Sequence, residues 1–337
     1  MLSNCKNLRK MPDVSVIIPC YRVSKFIERC ADSLLRQTLE EVEFLFVDDA
    51  SPDDSREKLE AVLTKYPGRN VRILTHPVNK GLPAARNTGL AEATGKYIFH
   101  CDGDDWVEPD MLEKMYGAAV ANDADYVWCD FYISFEQNER YMKARDYKTP
   151  DELVRRGFLA GDMKFNVWNK LVSREVYERA GTMRLFPEGH PMAEDMTMIL
   201  LALCAKKVAY VPEALYHYVK TNSGAMTQTV SERQLSDIRH NVARVEEFIG
   251  TRAEGDYADD LALFKLNVKL PFLLSGDKAQ LKMWKEWYPE ADAYAFRNPE
   301  LPFRTKLLQW MAARGQFWYV RLYYKLVYGF IYGVIYR

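Results

Sequence analysis

The first 135 residues alternate between short apolar runs and stretches in which apolar residues recur at helical spacing. Five β-branched or aromatic runs predict strands, at residues 14–19, 42–49, 71–76, 96–101 and 125–134. The segments between them, at residues 24–37, 51–66, 82–93 and 108–122, have the spacing of amphipathic helices. This alternation is typical of βαβ units, so we expect an α/β fold with a Rossmann-like, mostly parallel sheet.

The pattern loosens after about residue 150. Helices are predicted at residues 166–181 and 193–207, followed by a short strand at 208–212. The chain looks mainly helical from about residue 230. We therefore expect an α/β domain at residues 13–225 and a helical C-terminal region at 226–337.

Composition places the chain among globular proteins but hides an uneven charge distribution. Of the 337 residues, 48% are hydrophobic and 28% charged, and the net charge of −1 argues against nucleic-acid binding. Residues 297–337 contain seven basic residues and one acid, a net charge of +6 that leaves −7 for the rest. A basic tail on an acidic body indicates an anionic surface as a partner.

Cysteine usage and hydropathy suggest a cytoplasmic location. The six cysteines are scattered, without a CxxC pair or a Cys/His zinc spacing, so reduced thiols are expected. The first residues, "MLSNCKNLRKMPD", contain no apolar signal-peptide core. No run of about 20 apolar residues is present to cross a bilayer. Attachment to the inner face of the plasma membrane, without a span, is the accompanying hypothesis.

Two common phosphate-binding motifs are missing. The first strand is followed by "PCYRVSKF", which contains no GxGxxG, and the chain has no GxxxxGK[ST]. A dinucleotide fold and a P-loop enzyme are therefore disfavoured, and a nucleotide would need another means of attachment.

Three carboxylates follow the fourth predicted strand, in "YIFHCDGDDW". Asp102, Gly103 and Asp104 form a DxD sequence, and Asp105 comes next. Like charges this close raise one another's pKa unless something compensates. A bound Mg²⁺ or Mn²⁺, held by the carboxylates and bridging to a diphosphate, would do so. The alternative is an acid cluster that complements a helix N-terminus.

Other polar residues end neighbouring strands. Asp48 and Asp49 close the second predicted strand, where one carboxylate could accept a hydrogen bond from a base and the other could fix the turn. The alternative is an Asx turn or helix cap. Arg86, in "AARNTG", could contact phosphate or stabilise the acids, or be an ordinary surface arginine. In parallel sheets, ligands bind beyond the carboxyl ends of the strands, where these residues are expected.

Taken together, the motifs resemble those of family 2 glycosyltransferases with the GT-A fold. The specific blocks are "VSVIIPCYRVSKFIERCADSLLRQTLEEVEFLFVDDASPDDS" and "NKGLPAARNTGLAEATGKYIFHCDGDDWVEPDML"; "AEDMTMILLALCAKKVAYVPEALYHY" is a looser match. The resemblance implies an inverting, metal-dependent transfer of a sugar from a nucleotide diphosphate, usually UDP. Gly103 departs mildly from the family, which often has Ser or Ala there.

The resemblance also implies roles for individual residues. Pro19 and Tyr21 would flank the base, and Asp49 would bind uracil with Asp48 beside it. Asp102 would contact the ribose and the metal, and Asp104 would be the direct metal ligand. Asp195 is the first choice for the catalytic base and Glu194 the second.

Three further features are candidates for a role at the site. His217 could touch the metal or a phosphate, although a satisfied, partly buried histidine is the commoner case. Trp168 and Asn169 could line the acceptor side, or Trp168 could belong to the core. The polar stretch at residues 221–229 could form a lid over the donor.

The C-terminal tail combines aromatic residues with a basic stripe. Arg314, Arg321 and Lys325 fall on one helical stripe, and the longest uncharged run, residues 326–336, is too short to cross a bilayer. An interfacial helix on an anionic membrane fits this pattern, and a helix packed on the protein is the alternative.

The expected function is transfer of a sugar from a nucleotide sugar to a hydroxyl acceptor, lipid-linked acceptors included, in polysaccharide, lipopolysaccharide or glycolipid assembly. Two alternatives remain. A sugar nucleotidyltransferase is disfavoured because its glycine- and lysine-containing loop is missing after the first strand. A non-catalytic nucleotide-sugar-binding or scaffold protein is disfavoured by the intact acids.

Overall fold

The structure is a computed structural model that describes residues 11–220, 231–274 and 277–327. The chain divides into two compact units. The first comprises Met1–Pro150 and Phe165–Val245, and the second comprises Asp151–Lys164 and Glu246–Arg337. The expected domain boundary at residues 225–226 lies outside the described residues.

The first unit is built around one sheet. Within the described residues its nine strands are β1 (Val14–Cys20), β2 (Val42–Asp48), β3 (Asn70–Thr75), β4 (Tyr97–His100), β5 (Trp106–Val107), β6 (Tyr126–Ser134), β7 (Glu139–Met142), β8 (Lys170–Ser173) and β9 (Val208–Val219).

The helices of the described chain occur in both units. They are α1 (Ile27–Leu35), α2 (Ser55–Leu63), α3 (Leu82–Glu92), α4 (Met111–Asn122), α5 (Pro150–Glu152), α6 (Arg174–Arg179), α7 (Thr197–Cys204), α8 (Glu232–Arg252), α9 (Ala258–Lys269), α10 (Lys278–Glu286), α11 (Phe303–Ala313) and α12 (Phe317–Tyr324). Helix α5 continues as a π-helix over Leu153–Leu159, and 3₁₀ turns occur at Glu194–Met196, Leu270–Leu273 and Pro289–Tyr294.

Strand order confirms the expected α/β class with a mostly parallel sheet. The order is β3-β2-β1-β4-β8-β6-β9-β5, with β7 on the side of β6. Strands β1 to β4 are mutually parallel, and β6 and β9 run in the same direction, because β8 lies antiparallel between β4 and β6. Strands β5 and β7 pair antiparallel with β9 and β6.

The central strands are buried because helices cover the sheet. Every residue of β1 and β2 is buried, as expected for parallel strands covered on both faces. Helix α1 buries Ile27, Cys30, Ala31, Leu34 and Leu35, a helical stripe on one face. Helix α3 lies very close to β1, since a Cβ added at Gly89 would be 2.3 Å from Ile17 Cγ2. This close packing fixes the position of α3 against the sheet.

One element prediction was wrong. Residues 166–181 were expected to form a single helix, but Lys170–Ser173 form β8, and α6 begins only at Arg174. All four residues of β8 are buried, and they pair with β4 on one side and β6 on the other. These two ladders outweigh local helical propensity. Ser173 then caps α6 by accepting a hydrogen bond from Glu175 N–H.

The second unit is helical, as expected for the C-terminal region. Asn267 and Asn298 donate side-chain hydrogen bonds to Leu159 O and Ala160 O, both at 2.8 Å, which joins the segment before residue 165 to the C-terminal helices. Buried Lys269 directs Nζ to Trp287 O at 2.8 Å and Asp292 Oδ1 at 2.5 Å. Among the described residues, none of the helices is both long and apolar enough to cross a lipid bilayer.

Candidate active site

The carboxyl ends of β1, β2 and β4 meet at one edge of the sheet. In the parallel register, Cys20 pairs with Asp48 and Ile17 pairs with His100. The chain leaves these strands into the loops that contain Tyr21, Asp49 and Asp102. The acids and the aromatic ring selected from sequence therefore lie at the edge where ligands of parallel sheets bind.

The loops after β1 and β2 are tied together. Arg22 and Ala50 both adopt left-handed backbone, each with φ of 54°. Arg22 N–H donates to Ser51 Oγ at 2.8 Å, and Val23 N–H donates to Ser55 Oγ at 3.1 Å. Next to this loop pair, Pro19 is buried and Tyr21 is 39% exposed, so the Tyr21 ring is available to a ligand.

Asp49 is fully occupied within the protein. Its carboxylate accepts from the backbone N–H groups of Lys80 and Gly81, both at 2.8 Å, and from Asn79 Nδ2 at 3.0 Å. Its Oδ1 also lies 2.6 Å from His76 Nδ1. The side chain is only 3% exposed, so Asp49 holds the loop before α3 in place.

Asp48 is differently placed. Its Oδ1 accepts from Ser51 N–H at 3.0 Å, and its Oδ2 lies 3.6 Å from the partly exposed Arg56 Nη1. Its side chain is 11% exposed, more than that of Asp49. Of the two strand-end acids, Asp48 is the one with capacity for an additional hydrogen bond to a ligand.

The DxD acids form a compact carboxylate group. One ligand oxygen from each of Asp102, Asp104 and Asp105 lies within 4.8 Å of the others. Gly103 makes this turn possible, because a Cβ there would be 2.8 Å from Pro19 O. Hard oxygen donors at this spacing suit a divalent cation, so the residues present fit Mg²⁺ or Mn²⁺.

Asp105 is held in place by two donors from the protein. Tyr216 Oη donates to Asp105 Oδ2 at 2.7 Å, and Val219 N–H donates to Asp105 Oδ1 at 2.7 Å. Both oxygens of this buried acid thus have protein donors. Burial, together with the Asp104 and Asp102 charges, raises the pKa of Asp105 well above its ordinary value.

Arg86 connects the DxD turn to the second pair of acids. Its Nη2 donates to Asp102 Oδ1 at 2.9 Å, and its Nε donates to Glu194 Oε1 at 2.9 Å. The Arg86 side chain is 2% exposed and that of Glu194 5%, so this ion pair is shielded from water, whereas Asp102, at 27%, still faces solvent. Arg86 is therefore a buried bridge and not the surface arginine that one reading of the sequence allowed.

Glu194 and Asp195 are presented in a short 3₁₀ turn. The turn follows Ala193, which has a left-handed φ of 63°. Burial raises the pKa of Glu194 to about 7, and the attraction of the Arg86 cation offsets only part of that rise. Burial also raises the pKa of Asp195, while the cations of Lys170 and Arg86 oppose that rise. A carboxylate with a raised pKa is suited to accept a proton.

Lys170 interacts electrostatically with Asp195 and was not singled out from the sequence. It is 1% exposed, and its Nζ donates to Asn166 O at 2.5 Å and Asn169 Oδ1 at 2.9 Å. Burial lowers its pKa to about 7, against the attraction of Asp195. The signal was hidden because "VWNKL" resembled part of a helix.

The structure places the other candidate residues in the protein interior. His217 is 2% exposed, stacks on Trp106 at 3.4 Å, and lies 2.9 Å from Glu108 Oε1 and 2.8 Å from Glu139 Oε1. Trp168 is 6% exposed and stacks on Tyr216 at 4.4 Å. His217 is therefore a buried histidine with protein partners, and Trp168 belongs to the core.

Asn169 and the expected lid complete the sequence candidates. Asn169 is 3% exposed and donates to Cys129 O at 2.8 Å, so it braces β8 against β6. The lid expected at residues 221–229 lies outside the described residues.

Sequence comparison identifies the class of enzyme. The profile described as "Glycosyl transferase family 2" matches residues 15–185. The uncharacterised glycosyltransferase EpsJ of Bacillus subtilis (strain 168) is 34% identical over 275 residues, covering 79% of this chain and 78% of EpsJ. The chain therefore belongs to glycosyltransferase family 2 and is a glycosyltransferase.

Solved structures agree with the fold. S. aureus TarS 1–349 in complex with UDP-GlcNAc has a TM-score of 0.66 at 18% identity, covering 93% of this chain and 91% of that chain. The mannosyltransferase PcManGT from Pyrobaculum calidifontis, in complex with GDP-Man and Mn²⁺, has a TM-score of 0.54 at 17% identity, covering 91% and 87%. These similarities establish the GT-A architecture of the chain.

Proposed function

We propose that this glycosyltransferase moves a sugar from a UDP-sugar to a hydroxyl acceptor, with inversion and with a divalent metal ion. The supporting observation is the continuous chain from Asp102 through Arg86 to Glu194, beside which Asp195 lies in the same 3₁₀ turn. It brings a diphosphate-and-metal region and a candidate base into one site. The acceptor we propose is a saccharide, including a lipid-linked one, in polysaccharide or glycolipid assembly.

The donor nucleotide is assigned to the edge formed by β1 and β2. The exposed ring of Tyr21, beside Pro19, is available to flank the base, and Asp48 has capacity for a hydrogen bond to it. Asp49 instead fixes the loop that leads into α3. This division of labour reverses the expected roles of the two acids, and the similarity to a UDP-GlcNAc complex supports a UDP-sugar as donor.

The diphosphate is assigned to Asp102 and Asp104 together with the divalent cation. Asp104 and the oxygen of Asp102 that does not face Arg86 would hold the ion, while Asp105 is engaged by Tyr216 and Val219. When bound, Mg²⁺ or Mn²⁺ neutralises the charge on the leaving diphosphate. The Mn²⁺ complex of a similar fold supports this assignment.

Asp195 is assigned as the base, with Glu194 as second choice. Inversion requires a carboxylate to accept the proton of the attacking hydroxyl on the face opposite the diphosphate. Glu194 is occupied by Arg86, whereas Asp195 is partly exposed and lies near Lys170. The Lys170 cation opposes the rise that burial causes in the pKa of Asp195 and so favours the ionised form that can accept the proton.

A donor screen with Mn²⁺ tests the proposal. UDP release should depend on one UDP-sugar and on an acceptor, and Asp195→Asn should lower turnover by about 10²-fold while UDP affinity is kept. Asp104→Asn should abolish most of the gain in UDP affinity that Mn²⁺ provides. Equal UDP affinity with EDTA and with Mn²⁺ would contradict the metal assignment.

The same screen separates the alternatives. Pyrophosphate release from a nucleoside triphosphate and a sugar phosphate would indicate a nucleotidyltransferase. UDP-sugar binding without turnover, across saccharide and lipid-linked acceptors, would indicate a binding or scaffold protein. If Glu194→Gln abolishes turnover while Asp195→Asn does not, Glu194 is the base.

An anionic membrane surface is the partner we propose for the second unit. Phe303 is 68% exposed, Trp318 56%, Leu322 45% and Leu326 56%. Around them, the described residues 297–327 contain six basic residues and one acid. Exposed aromatic and aliphatic side chains among cations are typical of a helix that lies in the lipid interface.

Vesicle sedimentation tests this partner with the full chain. The wild type should sediment with phosphatidylglycerol vesicles and less with phosphatidylcholine vesicles, and Trp318→Ser with Leu322→Ser should reduce binding. Val78→Ser is a matched control, because Val78 is 62% exposed but lies in the first unit. Failure of the wild type to sediment, or equal losses with both substitutions, would contradict the proposal.

A further inference from the structure

The loop that leads to the proposed base, residues 185–193, is fixed by α3 on one side. Asn87 Nδ2 donates to Phe186 O at 2.9 Å, and Phe186 N–H donates back to Asn87 Oδ1 at 3.0 Å. Asn87 Nδ2 also lies 3.0 Å from Glu188 Oε1. Asn87 is adjacent to Arg86, so one helical turn holds both the start of this loop and Glu194.

Helix α8 contacts the rest of the loop. Asp237, 3% exposed, directs Oδ1 to His190 Nδ1 at 3.1 Å and accepts from Met192 N–H with Oδ2 at 3.4 Å. His240, one turn further, stacks on His190 with ring centroids 3.7 Å apart. These contacts reach to within two residues of Glu194.

Asn241 completes the attachment. It is fully buried, and its Nδ2 donates to His190 O at 3.2 Å and to Met192 O at 2.9 Å. Its Oδ1 accepts from Arg244 Nη1 at 2.9 Å, and Arg244 Nη2 donates to Leu185 O at 2.7 Å. Positions 237, 241 and 244 lie on one face of a helix, which we call the α8 polar face.

The loop needs external support where it joins the catalytic turn. Ala193 has a left-handed backbone, which costs energy in a residue that has a Cβ. The hydrogen bonds to His190 and Met192 act on the residues just before it. They define the direction in which the chain enters Glu194 and Asp195.

We propose that the α8 polar face, Asp237, Asn241 and Arg244, positions the loop that carries the catalytic base. This inference rests on the proposed function, because it assigns the base to Asp195. None of the three residues lies in the stretch matched by the family profile, which ends at residue 185. They are positioning residues, since they contact the loop backbone and His190 rather than a reacting group. A misplacement of a catalytic group by about 1 Å can lower the rate about 10²-fold.

Asn241→Asp is the decisive substitution. It keeps the shape of the side chain but directs carboxylate oxygen, in place of an N–H donor, at the two carbonyl groups. We expect kcat for transfer to fall about 10-fold or more. The Kd for UDP, measured by calorimetry with Mn²⁺, should be unchanged, because the donor edge of β1, β2 and β4 makes no contact with the α8 polar face among the hydrogen bonds described.

Two further variants separate positioning from general stability. Asp237→Ala should lower kcat in the same way, and Asp237→Asn should restore part of it, because an amide oxygen can still accept from Met192 N–H. Ser236→Ala, on the exposed side of α8, is the matched control and should leave kcat, Kd and Tm unchanged. Hydrogen exchange of the amides at residues 186–196 should accelerate in Asn241→Asp while that of β1 and β2 stays slow.

The outcomes are distinguishable. An active wild type whose Asn241→Asp and Asp237→Ala variants keep their kcat overturns the positioning role alone. Loss of kcat in parallel with loss of UDP affinity and Tm also overturns it, in favour of a purely structural role. A wild type that transfers no sugar overturns the proposed function.

Discussion

Arg86 and Glu194 lie 108 residues apart in the chain, and Arg86 Nε donates to Glu194 Oε1 at 2.9 Å in the protein interior. The same guanidinium reaches Asp102 through Nη2. One buried cation is therefore shared by a carboxylate of the DxD turn and one of the 3₁₀ turn Glu194–Met196. Disturbing it should affect both regions together.

Removal of this cation should be more costly than removal of one of its partners. Arg86→Met leaves two acids without their cation, so we expect the free energy of unfolding to fall by about 3–5 kcal/mol. Glu194→Gln should cost less, because Arg86 keeps Asp102. Urea unfolding of both variants measures the difference. Equal losses would indicate that the contact with Asp102 contributes nothing.

Substitution of Gly103 should damage the donor site. A Cβ at this position would be 2.8 Å from Pro19 O, so Gly103→Ala must displace the DxD turn or β1. We expect a loss of about 1–3 kcal/mol in stability and a higher KM for the donor. Gly117→Ala, on the exposed side of α4 with no atom within 4 Å, should instead gain about 0.5–1 kcal/mol. Thermal unfolding and donor titration check the pair.

Asp48 and Asp49 should separate binding from stability. Asp49→Asn places an amide N–H₂ among four donors or possible donors, so we expect about 1–3 kcal/mol of destabilisation. Asp48→Asn should keep the stability and weaken UDP binding. Calorimetry with UDP and urea unfolding of both variants are the measurements. If instead Asp49→Asn weakens UDP binding and Asp48→Asn lowers stability, Asp49 is the acid that contacts the nucleobase.

Lys170 should set the acid limb of the pH–rate profile. The base must be ionised, and the Lys170 cation lowers the pKa of Asp195 against the effect of burial. Lys170→Met removes that cation, so the pKa of Asp195 should rise and the fall in kcat on acidification should begin at a higher pH. Lys207→Met, at an exposed lysine, is the control. A shift of the limb to lower pH, or no shift, contradicts this role.

Local patterns predicted the first half of the fold because its elements are strong. The buried β-branched runs of β1 and β2 and the stripe of α1 are visible in sequence, and so are the acids that follow strands. Strand β8 was missed because its short run around Leu171 pairs only with distant strands. The sequence could not show that Arg86 meets Glu194, since nothing local links residues so far apart. Nor could the sequence show that donors at residues 79–81 satisfy the Asp49 carboxylate.

The second unit consists of two chain segments, and these are synthesised at different times. The π-helix Leu153–Leu159 and its continuation emerge from the ribosome first, yet Leu159 O waits for Asn267, 108 residues later, and Ala160 O for Asn298, 138 residues later. At about 5–20 residues per second, this delay is roughly 5–30 s. During that interval the segment is a nascent chain whose later partners are not yet made, and a premature stop codon before residue 267 would leave it permanently without both of them. Nonsense mutations late in the gene should therefore produce aggregation-prone protein instead of a shortened, working enzyme.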